Sequence, residues 1–596
     1  MRSGQTILIA LVTFASVSCR AEDQSERIGL VKRLAEQFSA MTRASERADV
    51  SLKVMGAQEL WRVQEANEQA LTIERQGISL PYQWSRISNQ DLASMARSVA
   101  GKNGDRLLLA AELSLLSGQT SSALELLAGA LAASPQLEAK VTAIKKKALA
   151  QTAPPTPQTP QPKVDSKTVA KPPPPPVVKN QLIPTKKASV KNYQGVLAAL
   201  KPGDVLLLEA GTYTGDLQLN HMKGELGKPI VITGPASGER AVFKANSSNN
   251  TVELSECSFV TIANLELDGL SLDAPFGFSS KGTCHDITIE NCHIHDYSGC
   301  QQTDGISTKG DAWNWTIRGN LIERAGTGLY LGNSDGRFPF FNGIIEYNVV
   351  LNTTGYCMQI KHQNSRPEVK GIERGTTIIR HNVFAKTIWI DKGNDGARPN
   401  LLVGGPPKSG PGADDRYLIY GNFFYKNPRE ALFQGTGSIT FYDNVLFNPD
   451  GPGVNVQPHD GSKPRSILVF NNTILAKTHG LSIISAEKST VMENAVFSGQ
   501  SAGATNDQGI QRSYDDAAKF LVNPFGDLGK MDLAPVSGKL LIAGNSPEVS
   551  MLNDFPDFDR DFNGNSQAFK VYGAYSVEGA NAGWPLGLNQ KNVQPK

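Results

Sequence analysis

The sequence lacks the features that mark several common classes of protein. Its 59 Lys and Arg residues nearly balance 57 Asp and Glu residues, which leaves a net charge of +2. This near balance argues against the concentrated positive charge of a nucleic-acid-binding protein. After the N-terminus, no uninterrupted apolar run approaches the roughly 20 residues that a membrane-spanning helix needs. We therefore expect a chain that is not transmembrane and has no nucleic acid among its partners.

Cysteine is also scarce, with six in 596 residues. Five follow the N-terminal segment, and their spacing matches no metal-binding motif, while an odd number cannot all pair internally. Two interpretations stay open: a disulfide between neighbouring structural units, with Cys257 and Cys284 as the favoured pair, or buried thiols that pack as small hydrophobic groups. The five are Cys257, Cys284, Cys292, Cys300 and Cys357.

Residues 1–21 predict an export signal. Arg2 precedes an apolar stretch from Ile7 to Ala15, and small residues follow it. Cleavage after Ala21 and lipid attachment at Cys19 both remain open. Simple secretion is favoured, because Ser16 occupies the position where a lipidation signal usually has Leu. We expect a secreted or periplasmic protein.

Residues 22–150 predict a small α-helical domain, and residues 151–189 a tether. Residues 107–135 resemble one tetratricopeptide repeat, although a plain helical hairpin is the alternative, since a lone repeat cannot form a stable array. Such a domain offers a surface for a protein partner. The tether carries eleven prolines and cannot bury a core, which favours an extended spacer. Apolar positions at helical spacing are Ile28, Val31, Leu34 and Phe38, then Leu60, Val63 and Ala66.

A short pattern of aliphatic residues around a central Asn returns nine times between residues 259 and 497. The Asn residues follow each other at intervals of 22 to 40 residues, which indicates a solenoid whose units bury their apolar faces against their neighbours. Short alternating strands, with no helical run between them, make it a β-solenoid. A stacked Asn at each bend would satisfy backbone groups that tight turns leave unpaired. The nine are Asn264, Asn291, Asn320, Asn348, Asn382, Asn422, Asn444, Asn472 and Asn494.

Residues 195–214 and 227–234 resemble the opening coil of the pectin-lyase-like superfamily. The resemblance implies a mainly β chain with a right-handed parallel β-helix over residues 190–520, closed by a C-terminal capping segment over 521–596. The superfamily includes polysaccharide lyases, hydrolases and C5-epimerases. The implied substrate class is therefore polysaccharide.

Strand alternation predicts which side chains leave the solenoid. Because successive side chains point to opposite faces, residues such as Ile306, Leu329, Met358 and Val454 should point inward. Residues of opposite parity should line one long polar groove that suits an acidic polysaccharide. The predicted groove residues are Ser307, Lys309, Tyr330, Gln359, Lys361, Gln434, Asn455, Gln457 and His459.

Residues 359–366 resemble the Lys-bearing strand of the alginate lyase and chondroitinase B branch. In uronate lyases and C5-epimerases a base removes the C5 proton while a cation neutralises the carboxylate. The resemblance makes Lys361 the candidate base. Arg366 or Arg398 is the candidate carboxylate partner, and Tyr330 or His362 the candidate acid. We therefore expect an exported lyase that acts by β-elimination on a uronate polymer.

No residue is assigned to a metal, and calcium stays open. The lyase branch places acidic calcium ligands shortly before its Lys, whereas residues 354–356 are Thr, Gly and Tyr here. Residues 557–564 do carry oxygen ligands at the spacing of a calcium loop, without the Glu that usually closes one.

Three alternatives to the lyase remain. Residues 457–460 (Gln-Pro-His-Asp) are similar to the Asp-Pro-His-Asp motif of alginate C5-epimerases, although a coincidental turn is favoured because the motif lies several coils beyond Lys361. Paired carboxylates, either Asp304 with Asp335 or Asp414 with Asp415, would suit a hydrolase. The third alternative is a noncatalytic glycan-binding or envelope polysaccharide assembly protein.

Overall fold

The computed structural model describes residues 21–44, 46, 48–54, 57–67, 70–75, 78–84, 87, 89–116, 120–152, 183–273, 275–388, 398–500, 509–542 and 549–591. The predicted export signal except Ala21, with Cys19, and most of the predicted tether lie outside these residues. The chain forms two compact units, Met1–Val169 and Ala170–Lys596. Within the described ranges, no helix combines the length and apolar character needed to cross a bilayer.

The first unit combines helices with a sheet. A meander of antiparallel strands in the order β1-β2-β3-β4 follows the first helix. Leu34 and Phe38 of the first helix pack with Val63, Leu71 and Ile73 of the sheet in one core. The elements are α1 (Ala21–Arg43), β1 (Asp49–Val54), β2 (Ala57–Ala66), β3 (Ala70–Arg75), β4 (Ile78–Gln83), α2 (Asn89–Ala100), α3 (Gly104–Leu116), α4 (Thr120–Ala133) and α5 (Glu138–Thr152).

The helix predicted at Leu60, Val63 and Ala66 is wrong, because these residues lie in β2. Trp61 and Val63 are buried while Leu60 is 61% exposed, which is the two-residue alternation of a half-buried strand. The tetratricopeptide resemblance is not confirmed. Helices α3 and α4 pack against one another through Leu108 and Leu127, as a plain helical hairpin would.

The second unit is a parallel β-helix, as the sequence predicted. Ten coils each contribute one strand to each of three parallel sheets, two of which have further strands, and successive coils pair in register. The ten-stranded sheet, which we call the groove sheet, consists of β8 (Leu217–Asn220), β11 (Val252–Ser255), β14 (Phe278–Lys281), β17 (Asp304–Thr308), β21 (Thr327–Leu331), β25 (Met358–Ile360), β28 (Leu401–Val403), β31 (Phe433–Gly435), β34 (Val454–Val456) and β37 (Leu481–Ile483).

The two other sheets are larger. The twelve-stranded flank sheet consists of β7 (Gly211–Tyr213), β10 (Ala241–Lys244), β13 (Leu265–Asp268), β16 (His293–His295), β20 (Leu321–Glu323), β24 (Val349–Leu351), β27 (Val383–Ala385), β30 (Phe423–Tyr425), β33 (Val445–Asn448), β36 (Thr473–His479), β39 (Ala495–Gln500) and β40 (Ile510–Ser513). The fourteen-stranded back sheet consists of β5 (Lys186–Ala188), β6 (Val205–Leu208), β9 (Ile230–Thr233), β12 (Ser258–Ala263), β15 (Cys284–Glu290), β18 (Ala312–Trp313), β19 (Thr316–Arg318), β22 (Phe340–Phe341), β23 (Ile344–Glu346), β26 (Thr376–Arg380), β29 (Arg416–Tyr420), β32 (Ile439–Tyr442), β35 (Ser466–Phe470) and β38 (Lys488–Met492).

The interior of the β-helix is the apolar core that strand alternation predicted. Ile306, Leu329, Met358, Ile360 and Val454 are fully buried in one continuous cluster that runs along the solenoid. A short helix, α6 (Tyr193–Leu197), precedes the first coils. These inward residues fix the parity of every strand and so decide which side chains reach the outer faces.

A buried Asn ladder joins the coils at the bend between back sheet and flank sheet. The Asn348 side-chain amide donates to Asn382 Oδ1 at 3.0 Å, and Asn382 donates to Asn422 Oδ1 at 3.0 Å. Each oxygen also accepts the backbone N–H of the preceding Asn, as between Asn348 N and Asn382 Oδ1 at 3.0 Å. The ladder consists of Asn320, Asn348, Asn382, Asn422, Asn444, Asn472 and Asn494.

Two of the nine predicted repeat Asn residues do not belong to this ladder. The pairing Ile289↔Ile317 aligns Asn291 with Gly319, and it places Cys292 at the ladder position before Asn320. Asn264 and Asn291 have φ values of 57° and 55°. They therefore occupy the left-handed position that precedes the ladder, a conformation that Asn tolerates better than most residues.

The C-terminal segment lies along the side of the solenoid. Its short hairpin, β41 (Leu521–Asn523) and β42 (Asp532–Pro535), and the residues after it form one apolar cluster with outward residues of the flank sheet such as Val383 and Phe423. Lys591 is fully buried against the bend, where its Nζ donates to Gly421 O at 2.7 Å. The segment predicted as a cap thus covers a flank.

All five cysteines after the N-terminal segment are free thiols. The predicted Cys257–Cys284 disulfide is not formed, although Cys257 N lies 3.5 Å from Cys284 Sγ. Both thiols sit inside the solenoid core among aliphatic side chains. The alternative interpretation, thiols packing as small hydrophobic groups, fits this placement.

Candidate active site

The outer face of the groove sheet carries two rows of polar side chains. Register places Ser307, Tyr330 and Gln359 side by side in the first row, followed by Leu402 and Gln434. Two residues further along the chain, just past the end of each strand, the second row contains Lys309, Gly332 and Lys361. Neighbouring strands lie about 4.8 Å apart, so about 10 Å separates the backbones at Lys309 and Lys361. Gly332, with a φ of 88°, lies between them, and a Cβ there would come within 3.3 Å of the Lys361 Cβ, so glycine lets Lys361 pack closely against this position.

Lys361 is the centre of a charged cluster at this face. Its Nζ lies 3.3 Å from Asp460 Oδ2, and His362 Nδ1 lies 3.0 Å from the same oxygen. His459 Nε2 is 3.5 Å from that oxygen as well. One carboxylate therefore holds three basic side chains together.

A tight hairpin brings His459 and Asp460 back to Lys361. His459 and Ser462 exchange backbone hydrogen bonds of 3.0 and 2.9 Å. Asp460 and Gly461 have φ values of 47° and 73°, as a turn with two left-handed residues requires. The motif at 457–460 does lie several coils beyond Lys361 along the chain, yet the hairpin closes that distance in space. The Asp-Gly pair after β34 was the sequence signal for this turn.

Tyr330 and Lys309 form the neighbouring part of the site. Lys309 Nζ lies 4.1 Å from the centroid of the Tyr330 ring and 3.5 Å from Asp304 Oδ2. Burial raises the pKa of Asp304 to about 7, against the attraction of Lys309. Burial also raises the pKa of Tyr330, and the negative charges of Asp304 and Asp460 add to this shift. The Tyr330 hydroxyl consequently stays protonated near neutral pH and can donate a proton.

Electrostatics distinguish His459 from its neighbours. Burial lowers its pKa below 6.5, Asp460 opposes the shift, and Lys361 reinforces it. The imidazole is therefore neutral at pH 7 and able to accept a proton. Burial disfavours the charged form of Asp460, yet the adjacent Lys361 and His459 outweigh it and lower the pKa of that carboxyl group.

Arg366 does not reach the groove, which corrects its predicted role as carboxylate partner. Its guanidinium binds Asp415 through two contacts, Nε to Oδ2 at 2.8 Å and the terminal nitrogen to Oδ1 at 3.2 Å. It also lies 4.6 Å from the ring centroid of Phe341 and is buried. An arginine fully occupied in this way supports the loop it belongs to and is not available to a substrate.

Arg398 lies beside Tyr356. Its guanidinium lies 6.0 Å from the Tyr356 ring, and Tyr356 raises the pKa of Tyr330. Two other predicted contacts need correction, because Ser307 and Gln359 are buried on either side of Tyr330. Gln434 and Gln457 are half-buried further along the groove, where a substrate can reach them.

The calcium and hydrolase alternatives gain no support from this geometry. Asp557 accepts the Tyr420 hydroxyl at 3.0 Å, whereas Asp561 accepts backbone N–H groups of its own turn, including Asn565 N at 2.8 Å. The acidic residues of the predicted calcium loop thus serve separate partners. Of the predicted carboxylate pairs, Asp415 binds Arg366 and Asp335 binds Arg337.

Comparisons with known proteins add the following. No family model matches the chain, and no curated protein matches it. Among solved structures, an alginate lyase from a Paenibacillus species is 16% identical with a TM-score of 0.34, and the match covers 55% of this chain and 98% of that one. A pectate lyase is 14% identical with a TM-score of 0.33, covering 69% and 98%. The A-module of a mannuronan C-5 epimerase from Azotobacter vinelandii is 14% identical with a TM-score of 0.29, covering 54% and 98%. By its own three sheets and their register, the second unit of this chain has the parallel β-helix fold.

Proposed function

We propose that the β-helix unit acts on a uronate-containing polysaccharide by removing the C5 proton, and that β-elimination follows. The observation that carries this proposal is the gathering of Lys361, His362, His459 and Asp460 beside Tyr330 on one outer face. Cationic, proton-accepting and proton-donating groups meet there on the groove sheet. A hydrolase would instead need two free carboxyl groups across the bond.

The chemistry needs three groups. A base takes the proton from C5, and a cation neutralises the adjacent carboxylate so that the carbanion is stabilised. The electron pair then forms the C4–C5 double bond while the C4–O bond breaks, and an acid gives a proton to the leaving oxygen. The products are one unsaturated uronate end and one new hydroxyl end.

We assign the base to His459, the carboxylate-neutralising cations to Lys361 and Lys309, and the acid to Tyr330. The sequence pointed to Lys361 as base, and that assignment remains the rival. Lys361 Nζ lies at ion-pair distance from Asp460, 3.3 Å from Oδ2, while burial lowers the pKa of His459 and favours its neutral form. His362 and Asp460 hold the other groups in position.

The experiment incubates the full chain with alginate, polygalacturonate and chondroitin and follows the ultraviolet absorbance of the unsaturated product. His459→Gln should lower kcat ~100-fold or more. Lys361→Arg keeps the positive charge and should retain much of the activity, whereas it would abolish activity if Lys361 were the base. Lys244→Met, at an exposed lysine at the end of β10 in the flank sheet, is the matched control. Binding without product in the wild type, unchanged by Lys361→Met, would favour the noncatalytic glycan-binding or assembly protein.

C5-epimerisation is the second candidate, and the hairpin at 459–462 favours it. Epimerisation also begins with loss of the C5 proton, but a proton then returns from the opposite face of the ring. His459 on the hairpin and Lys361 on the sheet come from separate elements, which would allow them to approach a sugar from two sides. Incorporation of deuterium at C5 from heavy water, without any unsaturated product, would identify the epimerase.

The N-terminal segment and the first unit have proposed roles of their own. We propose that residues 1–21 direct secretion or export to the periplasm, with lipid attachment at Cys19 as the alternative. We also propose that the first unit binds a protein partner. Mass spectrometry of the protein recovered from its native host would show the mature N-terminus and any lipid.

A further inference from the structure

A second cluster of ionisable side chains lies on the flank sheet, away from the groove sheet. Glu266 comes from β13, His293 and His295 from β16, and Glu323 from β20. Two residues apart on one strand, His293 and His295 project from the same face. Register pairs Glu266 with His293 and His295 with Glu323. Three successive coils thus contribute to one surface cluster.

The potential ligand atoms lie close enough to share one ion. His293 Nδ1 is 3.8 Å from Glu266 Oε2, and His295 Nε2 is 3.6 Å from Glu266 Oε1. All three residues offer ligand atoms within 4.8 Å of one another. A tetrahedral zinc ion with bonds of about 2.0–2.1 Å separates neighbouring ligand atoms by about 3.4 Å. The two closest contacts therefore need only small shifts to close around a metal.

The other nitrogen of each histidine is held by a carboxylate. Asp296 Oδ2 lies 2.7 Å from His295 Nδ1, and Glu323 Oε1 lies 3.0 Å from His293 Nε2. A carboxylate on one ring nitrogen places the proton there and directs the lone pair of the second nitrogen outward, as around metal-binding histidines generally. In both residues, that second nitrogen faces Glu266.

Arg324 in turn fixes both carboxylates. Its Nε lies 2.7 Å from Asp296 Oδ1, and a terminal nitrogen lies 2.9 Å from Glu323 Oε2. The guanidinium thereby fixes the positions of both carboxylates, and these in turn fix the orientation of the two imidazole rings.

One ring nitrogen of the cluster lacks a hydrogen bond. His295 Nε2 is buried and makes no hydrogen bond. A buried nitrogen of this kind usually has a partner.

We propose that Glu266, His293 and His295 bind a divalent transition-metal ion of the zinc class, with Asp296 and Glu323 as positioning residues. Two imidazoles and one carboxylate are a ligand set that zinc takes. The three side chains are only partly exposed, so a fourth position toward solvent stays open to water or another small ligand. The ion would join the coils of β13 and β16.

The test uses the full chain without a histidine tag, stripped with a chelator and titrated calorimetrically with zinc chloride. The wild type should bind one equivalent. His293→Gln and His295→Gln should each weaken this binding at least ~100-fold, and Asp296→Asn by about 10- to 100-fold. His479→Gln, at an exposed histidine of the same sheet, should leave binding unchanged. Cobalt chloride should give the visible absorption of a four-coordinate ion in the wild type alone.

Two results would overturn the proposal. One is the absence of saturable zinc binding by the wild type. The other is binding that survives His293→Gln and His295→Gln in chains whose circular dichroism is unchanged, which would mean an adventitious ion elsewhere. If either histidine variant fails to fold, Glu266→Gln, at a partly exposed side chain, gives the same test. None of these outcomes depends on activity toward polysaccharide.

Discussion

Asp460 organises the candidate active site at the scale of single residues. It reaches Lys361, His362 and His459 from the tip of a hairpin, and its charge acts on the pKa of His459. The carboxylate attracts the proton of His459 and thereby works against the lowering of the His459 pKa by burial. Removal of the Asp460 charge should therefore change the His459 pKa in one direction, downward.

Asp460→Asn should lower the pKa of His459 further. The wild-type rate should fall as the pH decreases through the His459 pKa, which lies below 6.5, because the imidazole becomes charged. Without Asp460, the neutral imidazole persists to lower pH, so this acidic limb of kcat/KM should move to lower pH. NMR titration of the His459 ring measures the same shift without any substrate. A pKa that stays or rises would contradict this account of the site.

Arg366 contrasts with Lys361 because its contacts are structural. Arg366→Met should destabilise the β-helix unit by about 3–5 kcal/mol, since it leaves the Asp415 carboxylate buried and uncompensated. Chemical denaturation followed by tryptophan fluorescence measures the loss. Adding Asp415→Leu should restore part of it, because the unpaired charge is then gone. Additive losses in the double variant would show that the two residues do not act as a pair.

At the scale of elements, the repeat explains both the success and the errors of the sequence analysis. The Asn spacing predicted the ladder because only a side chain with donor and acceptor groups can bridge successive bends. Asn264 and Asn291 could not be told apart from ladder residues, since Asn also suits the left-handed position that Gly319 and Gly421 occupy in later coils. The helix predicted at Leu60–Ala66 failed because its apolar residues fit two periods at once.

The candidate site shows the same limit. Parity placed Lys309, Tyr330 and Lys361 on one face correctly, because alternation is a local property of each strand. It could not show that Arg366 turns into a buried ion pair, or that the hairpin at 459–462 returns to Lys361. Both depend on loops whose direction is set by contacts remote in sequence, such as those between Arg465 and the carbonyl of Pro407. The histidines at 293 and 295 were not singled out, although their spacing on a strand was the available signal.

Asn382→Ala should be among the most destabilising single changes in the ladder. The Asn382 side chain donates to Ile345 O and Asn422 Oδ1 and accepts from Asn348, so its removal leaves several buried groups unpaired. We expect a loss of about 3 kcal/mol or more in the free energy of unfolding, at 1–3 kcal/mol per unpaired group. Asn494→Ala, at the end of the ladder, should cost less. Equal losses at the two positions in urea denaturation would argue against this additive account.

At the scale of the whole molecule, the sequence predicted the two-part organisation more readily than the path of the C-terminal segment. A solenoid is visible in the sequence because its contacts repeat. The docking of residues 521–591 along the flank does not repeat, and Phe423, Val445 and Leu475 point outward into that contact rather than into solvent. Their apolar character was compatible with a buried outer surface, but the sequence alone did not say what covers it.

A chain that stops at residue 520 should expose this apolar flank. We expect it to bind a hydrophobic dye and to self-associate at concentrations where the full chain remains monodisperse. Light scattering and dye fluorescence measure both effects. Substituting Phe423 and Val445 by Ser in the shortened chain should reduce the association, and a shortened chain that behaves like the full one would show that the segment is dispensable.

The burial of Lys591 against Gly421 also sets an order of events during biosynthesis. Coils that include Val349 through Phe497 leave the ribosome before the residues that shield them, so their outer apolar strip has to wait until the last described segment arrives. During that interval the nascent protein exposes an apolar surface on its flank sheet. Docking of the residues after 520 therefore completes the burial of this strip only after the coils themselves have been synthesised.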